Sequence, residues 1–160
     1  MTDLQISESE TQFNQLRGEA VNAIARLERA LTLKTEQLGV SASSLSIGKK
    51  LEKISLSEEA FKRPKSISKL IERARTVNDW RRDFIHSENC IIHHPDGSIY
   101  FLIKNISGTH APFPMTPKEI RDKISEVKKL AKEFGDQALK DQQPPAPTSP
   151  AVTSAKSSAH

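Results

Sequence analysis

Apolar residues recur along this chain in four helical runs, with one alternating stretch between the last two. From residue 8 to 39, Phe13, Leu16, Ala20, Ile24, Leu27, Leu31 and Leu38 follow the three- and four-residue spacing of one helix face. Ser7 with Glu10 predicts a capping box at its start, and Gly39 predicts its end. A polar, Ser-rich stretch follows at 41–44. Leu45, Ile47, Leu51 and Ile54 then predict a short second helix, weakened by Gly48. Leu56 to Pro64 is a connector with one further helical turn. Over 65–87, Ile67, Leu70, Ile71, Ala74, Val77, Phe84 and Ile85 lie on one side of a third helix at about 100° per residue.

The period then changes. Cys90 to His94 and Ser98 to Lys104 are rich in β-branched and aromatic residues, and Pro95-Asp96-Gly97 separates them. This predicts a β-hairpin at about 90–104, with Tyr100 and Phe101 packing it against the helices. A loop with Gly108, Pro112 and Pro114 comes next. Thr116-Pro117-Lys118-Glu119 carries N-cap, first-turn proline and capping-box signals for a last helix, striped by Ile120, Ile124, Val127, Ala131 and Phe134. Beyond Lys140 the chain turns to Pro, Ser, Ala, Thr and Gln, a composition that buries no core. The expected fold is mainly α: a small antiparallel helical bundle over 8–138 with one β-hairpin insertion, then a disordered tail over 139–160. A bundle this thin leaves apolar surface for a second copy of the chain to cover.

Charge sharpens the picture. The net charge of +4 is spread unevenly over the 160 residues. Residues 62–82 hold Lys62, Arg63, Lys65, Lys69, Arg73, Arg75, Arg81 and Arg82 against Glu72 and Asp79. Such a local excess on and before the third helix fits either a solvated helix face or a polyanionic partner such as nucleic acid. A lone Cys90 excludes an intramolecular disulfide, and the apolar runs are too short to span a membrane. Asp3, Glu8 and Glu10 interrupt the start of the chain, so no signal peptide is read and a cytoplasmic setting is expected. His93 and His94 are adjacent in a strand and face opposite ways, and His86, Cys90 and His110 share no metal-ligand spacing with them. No glycine-rich phosphate loop precedes a helix, so neither a metal nor a cofactor is expected.

The candidate chemistry lies at the end of the third helix, in Asn78-Asp79-Trp80-Arg81-Arg82-Asp83-Phe84-Ile85-His86-Ser87. Asn78 and Arg81 fall within the apolar stripe, while Arg82 and His86 are neighbours on its flank. Arg81 keeps its charge, so it must meet a carboxylate such as Glu19 or Glu28, a set of carbonyls, a wet cleft or a ligand. His86 exchanges protons near neutral pH and can act as general acid or base on a phosphodiester. Spacing alone is weak, because nine arginines and five histidines produce an Arg-x4-6-His match by chance about once. Placement at the end of the most basic amphipathic helix gives the pair its weight.

With this helix, the Arg81 to His86 segment, the hairpin turn Pro95-Asp96-Gly97 and the Thr-led helix Thr116 to Phe134, the chain resembles the HEPN superfamily of small helical domains. The resemblance implies a dimer in which two Arg-x4-6-His motifs face each other across a cleft. It implies metal-independent RNA cleavage by attack of the 2′-hydroxyl on the adjacent phosphate, in a toxin–antitoxin or antiviral setting with a protein antitoxin as partner. Carried over, Arg81 stabilises phosphate charge and His86 handles protons, with Arg82, Asn78 and Arg75 binding substrate. Arg82 stands where the family usually has Asn, Asp or His. A second guanidinium adds phosphate affinity but cannot orient His86 as an amide would. Some relatives are non-catalytic modules that bind RNA, a nucleotide or a protein partner.

Overall fold

A computed structural model describes residues 3–87, 90–104 and 111–142. Helices α1 (Asp3–Glu36), α2 (Ile47–Leu56), α3 (Pro64–His86) and α4 (Pro117–Gln142) surround one core, and a 3-10 turn, Glu58–Ala60, fills the predicted connector. α1 begins before the predicted capping box, so Ser7 lies inside the helix, where its carbonyl accepts a bond from Thr11 Oγ1. Gly39 adopts φ 74°, a left-handed conformation that glycine takes without a Cβ clash, and it closes the helix as expected. Ser46 caps α2 by accepting from the Lys49 N–H.

Helix directions follow from the pairs that join them. Arg73 of α3 makes two hydrogen bonds to Glu133 of α4, at 2.7 and 3.3 Å, and Gln137 donates to Ser66 at 2.9 Å. The start of α3 thus meets the end of α4. At the other end of α3, Phe84 packs edge-on against Phe13 of α1, with ring centroids 5.6 Å apart. α3 therefore runs antiparallel to both long helices. Lys34 pairs with Asp141 where α1 and α4 finish side by side.

Strands β1 (Ile91–His93) and β2 (Ile99–Ile103) form the predicted hairpin, and Gly97 at φ 85° makes its turn. Ser98 donates from its N–H and hydroxyl to Asp96 Oδ1, and these bonds hold the Asp96 carboxyl below its ordinary range. A third strand, β3 (Phe113–Met115), replaces part of the predicted loop and pairs antiparallel with β2. It holds Pro114, which lacks an N–H and is tolerated because β3 is an edge strand. Phe101, fully buried, sits on the middle strand against Phe13 at 4.8 Å, so the hairpin packs on the helices as its aromatics predicted. Tyr100 beside it is half-buried.

α4 starts with a complete capping box. Thr116 donates from its N–H and its hydroxyl to Glu119, and the Glu119 N–H returns a bond to Thr116 Oγ1. Those bonds hold the Glu119 carboxyl below its ordinary value. A depressed carboxylate contributes stability above its unfolded pKa and loses it as pH falls through the folded value. Thr116→Ala is expected to cost about 1 kcal/mol in urea unfolding at neutral pH. The cost should shrink at a pH acid enough to protonate Glu119; a cost that grew there would contradict this account. At its other end α4 continues past the predicted boundary at 138. Residues 139–142 remain helical because Lys34 and Lys62 reach the last turn, and residues 143–160 lie outside the described set.

Candidate functional site at the end of the third helix

The apolar stripe of α3 holds as far as Val77 and then rotates. Trp80, Asp83, Phe84 and Ser87 occupy the buried positions of the last two turns. Trp80 stacks on Phe84 with centroids 4.9 Å apart and an interplanar angle of 11°. Once these four turn inward, Arg81 is displaced to the margin and is half-buried.

Ser87 fixes this end of the helix. Its side chain donates to the Asp83 carbonyl at 2.7 Å and accepts from the Lys104 N–H at 2.9 Å, at the end of β2. Its carbonyl accepts from Arg17 Nη2 on α1, and that guanidinium lies 4.7 Å from the Phe13 ring centroid. Three elements thus converge on the residue next to His86. Neither Arg17 nor Ser87 is legible as an anchor in the sequence. A serine that satisfies several partners carries no periodic signal.

Arg75, Asp79, Arg82 and His86 are all exposed, at positions i, i+4, i+7 and i+11 of α3. That spacing places them along one face. Asn78 borders the face and is half-buried. Asp79 lies 3.7 Å from Arg82, a solvent-exposed pair that holds its partners weakly. Of the other basic residues in the 62–82 segment, Arg73 is bound to Glu133 and Lys62 donates to the Lys140 carbonyl. Arg63, Lys65 and Lys69 remain exposed. Part of the excess charge therefore ties the bundle together, and the rest faces solvent.

Arg81 stands apart from that face. It precedes His86 by five residues, which on a helix of about 100° per residue separates the two by about 140°. Within one chain, Arg82 is the guanidinium beside His86. Among the described residues Arg81 has no ion-pair partner, and its Nε is shut from solvent without an acceptor. Glu28, one of the two carboxylates named as its partner from the sequence, accepts instead from Lys50 at 2.9 Å. Such an unpaired N–H costs about 1–3 kcal/mol unless water, a ligand or a second chain supplies the acceptor.

Arg75 and Asn78 also border a hollow of about 280 Å³ between α2 and α3, with Gly48, Leu51, Glu52 and Asp79. Neither Arg81 nor His86 lines it. Among the described residues, no group of three or more His, Cys, Asp and Glu side chains is placed to hold a metal ion; His110 lies outside them. No described helix is long and apolar enough to cross a membrane. The chain matches no family model, no curated protein and no solved structure.

Proposed function

We propose that this chain acts on RNA through the exposed face of α3, as a HEPN-type endoribonuclease that works as a dimer without a metal ion. The observation that carries the reading is Arg81: a half-buried guanidinium with no acidic partner among the described residues, on the helix whose last residue is the exposed His86. Arg75 and Arg82 attract the phosphate backbone. His86 takes the proton of the ribose 2′-hydroxyl or returns one to the leaving oxygen. Arg81 of one chain offsets phosphate charge beside His86 of the other, which removes the difficulty of their divergence within one helix. A toxin–antitoxin or antiviral role, with a protein antitoxin that masks the face, belongs to the same reading. The test is incubation of the purified chain with single-stranded RNA in EDTA, with light scattering for its mass. Cleavage by a dimer is expected, and cleavage that requires added metal would overturn the mechanism.

A second reading is favoured by Arg82 at the usual polar position. It makes this face a non-catalytic RNA-binding surface. Binding should then weaken with salt in proportion to the phosphates engaged, at about 0.7 in log–log slope per contact for single strands, and Arg75→Ala and Arg82→Ala should each flatten that slope by about one contact. Fluorescence anisotropy at several salt concentrations measures it. Slopes unchanged in both variants would place the RNA elsewhere on the chain.

A further inference from the structure

Gly48 is the second residue of α2, and glycine weakens a helix by its backbone freedom. Nothing among the described residues requires it. Gly48 does not have a positive φ, and a Cβ added there would meet no atom within 4 Å. Gly48 borders the 280 Å³ hollow between α2 and α3, and a Cβ there would project into open space. That volume sits near the lower limit of small-molecule sites, about 300 Å³, and suits one planar ring system.

The lining has a definite chemistry. Leu51 is buried and gives the hollow an apolar wall. Arg75 supplies a planar guanidinium able to stack on a base. Asn78 supplies both a donor and an acceptor. Glu52 and Asp79 are carboxylates, acceptors only when ionised, and they repel a phosphate. Asp79 is shared with Arg82, whereas Glu52 has no ion-pair partner among the described residues. The fitting occupant is therefore a planar ring with adjacent N–H donors along one edge. Guanine offers N1–H and N2–H side by side. Adenine and cytosine set one amine beside a ring acceptor, and uracil sets its N–H between two carbonyls. Arg75 and Asp79 belong both to the hollow and to the basic face, so a strand following Arg75 and Arg82 passes its mouth.

We infer that this hollow is a guanine pocket, with Glu52 as acceptor for the base edge and Gly48 as the opening. The inference rests on the RNA reading of the α3 face and adds the base it selects. The test titrates the full chain with guanosine and inosine monophosphates by ¹H–¹⁵N NMR. Anisotropy then compares short RNAs that carry one guanine or adenine in an otherwise uniform strand. Guanylate should shift the Gly48 and Asn78 signals and bind about tenfold tighter than inosinate, which lacks the N2 amine. Gly48→Leu fills the hollow and Glu52→Gln removes the charged acceptor. Each should erase the guanine preference while leaving affinity for the adenine strand within about twofold. A preference that survives both changes, or none in the parent chain, overturns the pocket. RNA bound equally with either base sinks the pocket and leaves the RNA reading standing. Guanylate in the hollow without RNA binding does the reverse.

Discussion

His86→Ala is expected to lower RNA cleavage in EDTA by about 10²–10⁴-fold, the usual contribution of a positioned acid–base group. Because the residue is exposed and has no ion-pair partner among the described residues, its loss should leave the unfolding midpoint nearly unchanged. Arg81→Ala should cost about 10²–10³-fold through lost charge stabilisation, with RNA affinity falling less than rate. Arg82→Ala should do the opposite, weakening binding more than turnover. The divergence of Arg81 and His86 on one helix makes a sharper experiment available. If each site takes Arg81 from one chain and His86 from the other, a mixed dimer of Arg81→Ala and His86→Ala chains retains one intact site. Two inactive preparations, unfolded together and refolded, should then recover activity. Failure to recover, with mixed dimers shown to form, would mean that both residues serve from the same chain or that neither is catalytic.

What the sequence revealed and what it concealed have physical reasons. The stripe from Ile67 to Val77 was legible because every buried position there is aliphatic. It stopped being legible at Trp80, Asp83 and Ser87, where burial depends on stacking and hydrogen bonds rather than on side-chain hydropathy. That gap decides where Arg81 sits, since those residues, with Phe84, displace it from the middle of the stripe to its margin. Arg82 and His86 were placed correctly as neighbours, because spacing alone decides that on a helix. The capping box at Thr116 was fully legible, whereas Ser7 with Glu10 was not a start at all: a serine and a glutamate three apart occur inside helices too. β3 was concealed by Pro114, which argues against a strand everywhere except at an edge. Glu52 and the hollow it lines carried no signal beyond the weakness of a helix with Gly48 in it. In a sequence that weakness looks like a local defect, whether or not a ligand compensates it.

The least legible contact predicts the largest stability effect. Lys34 is fully enclosed at the end of α1, and its amine pairs with Asp141, a residue the composition assigned to the tail. The Phe61 ring lies 4.0 Å from Lys34 Nζ, and Asp141 Oδ1 also accepts from the Lys62 N–H at 3.3 Å. Asp141→Ala should therefore cost about 3–5 kcal/mol, because it strands a buried cation rather than merely deleting an attraction. Adding Lys34→Met to that variant should recover much of the loss, since no charge is then left to bury. The pH dependence has a definite sign. Burial, the largest influence, pulls the Lys34 amine below its ordinary 10.5, while the hydrogen bond and charge of Asp141 push it back up. The folded chain thus holds this proton less tightly than the unfolded chain, and the group's penalty eases as pH climbs from the folded value towards 10.5. Without Asp141 the folded value drops further, so the relief begins at lower pH. The stability deficit of Asp141→Ala should accordingly narrow as pH rises towards 10.5, in urea unfolding against the parent chain. A deficit below about 1 kcal/mol, or one that widens with pH, would mean that water or another group satisfies Lys34 and that Asp141 does not hold the end of α4.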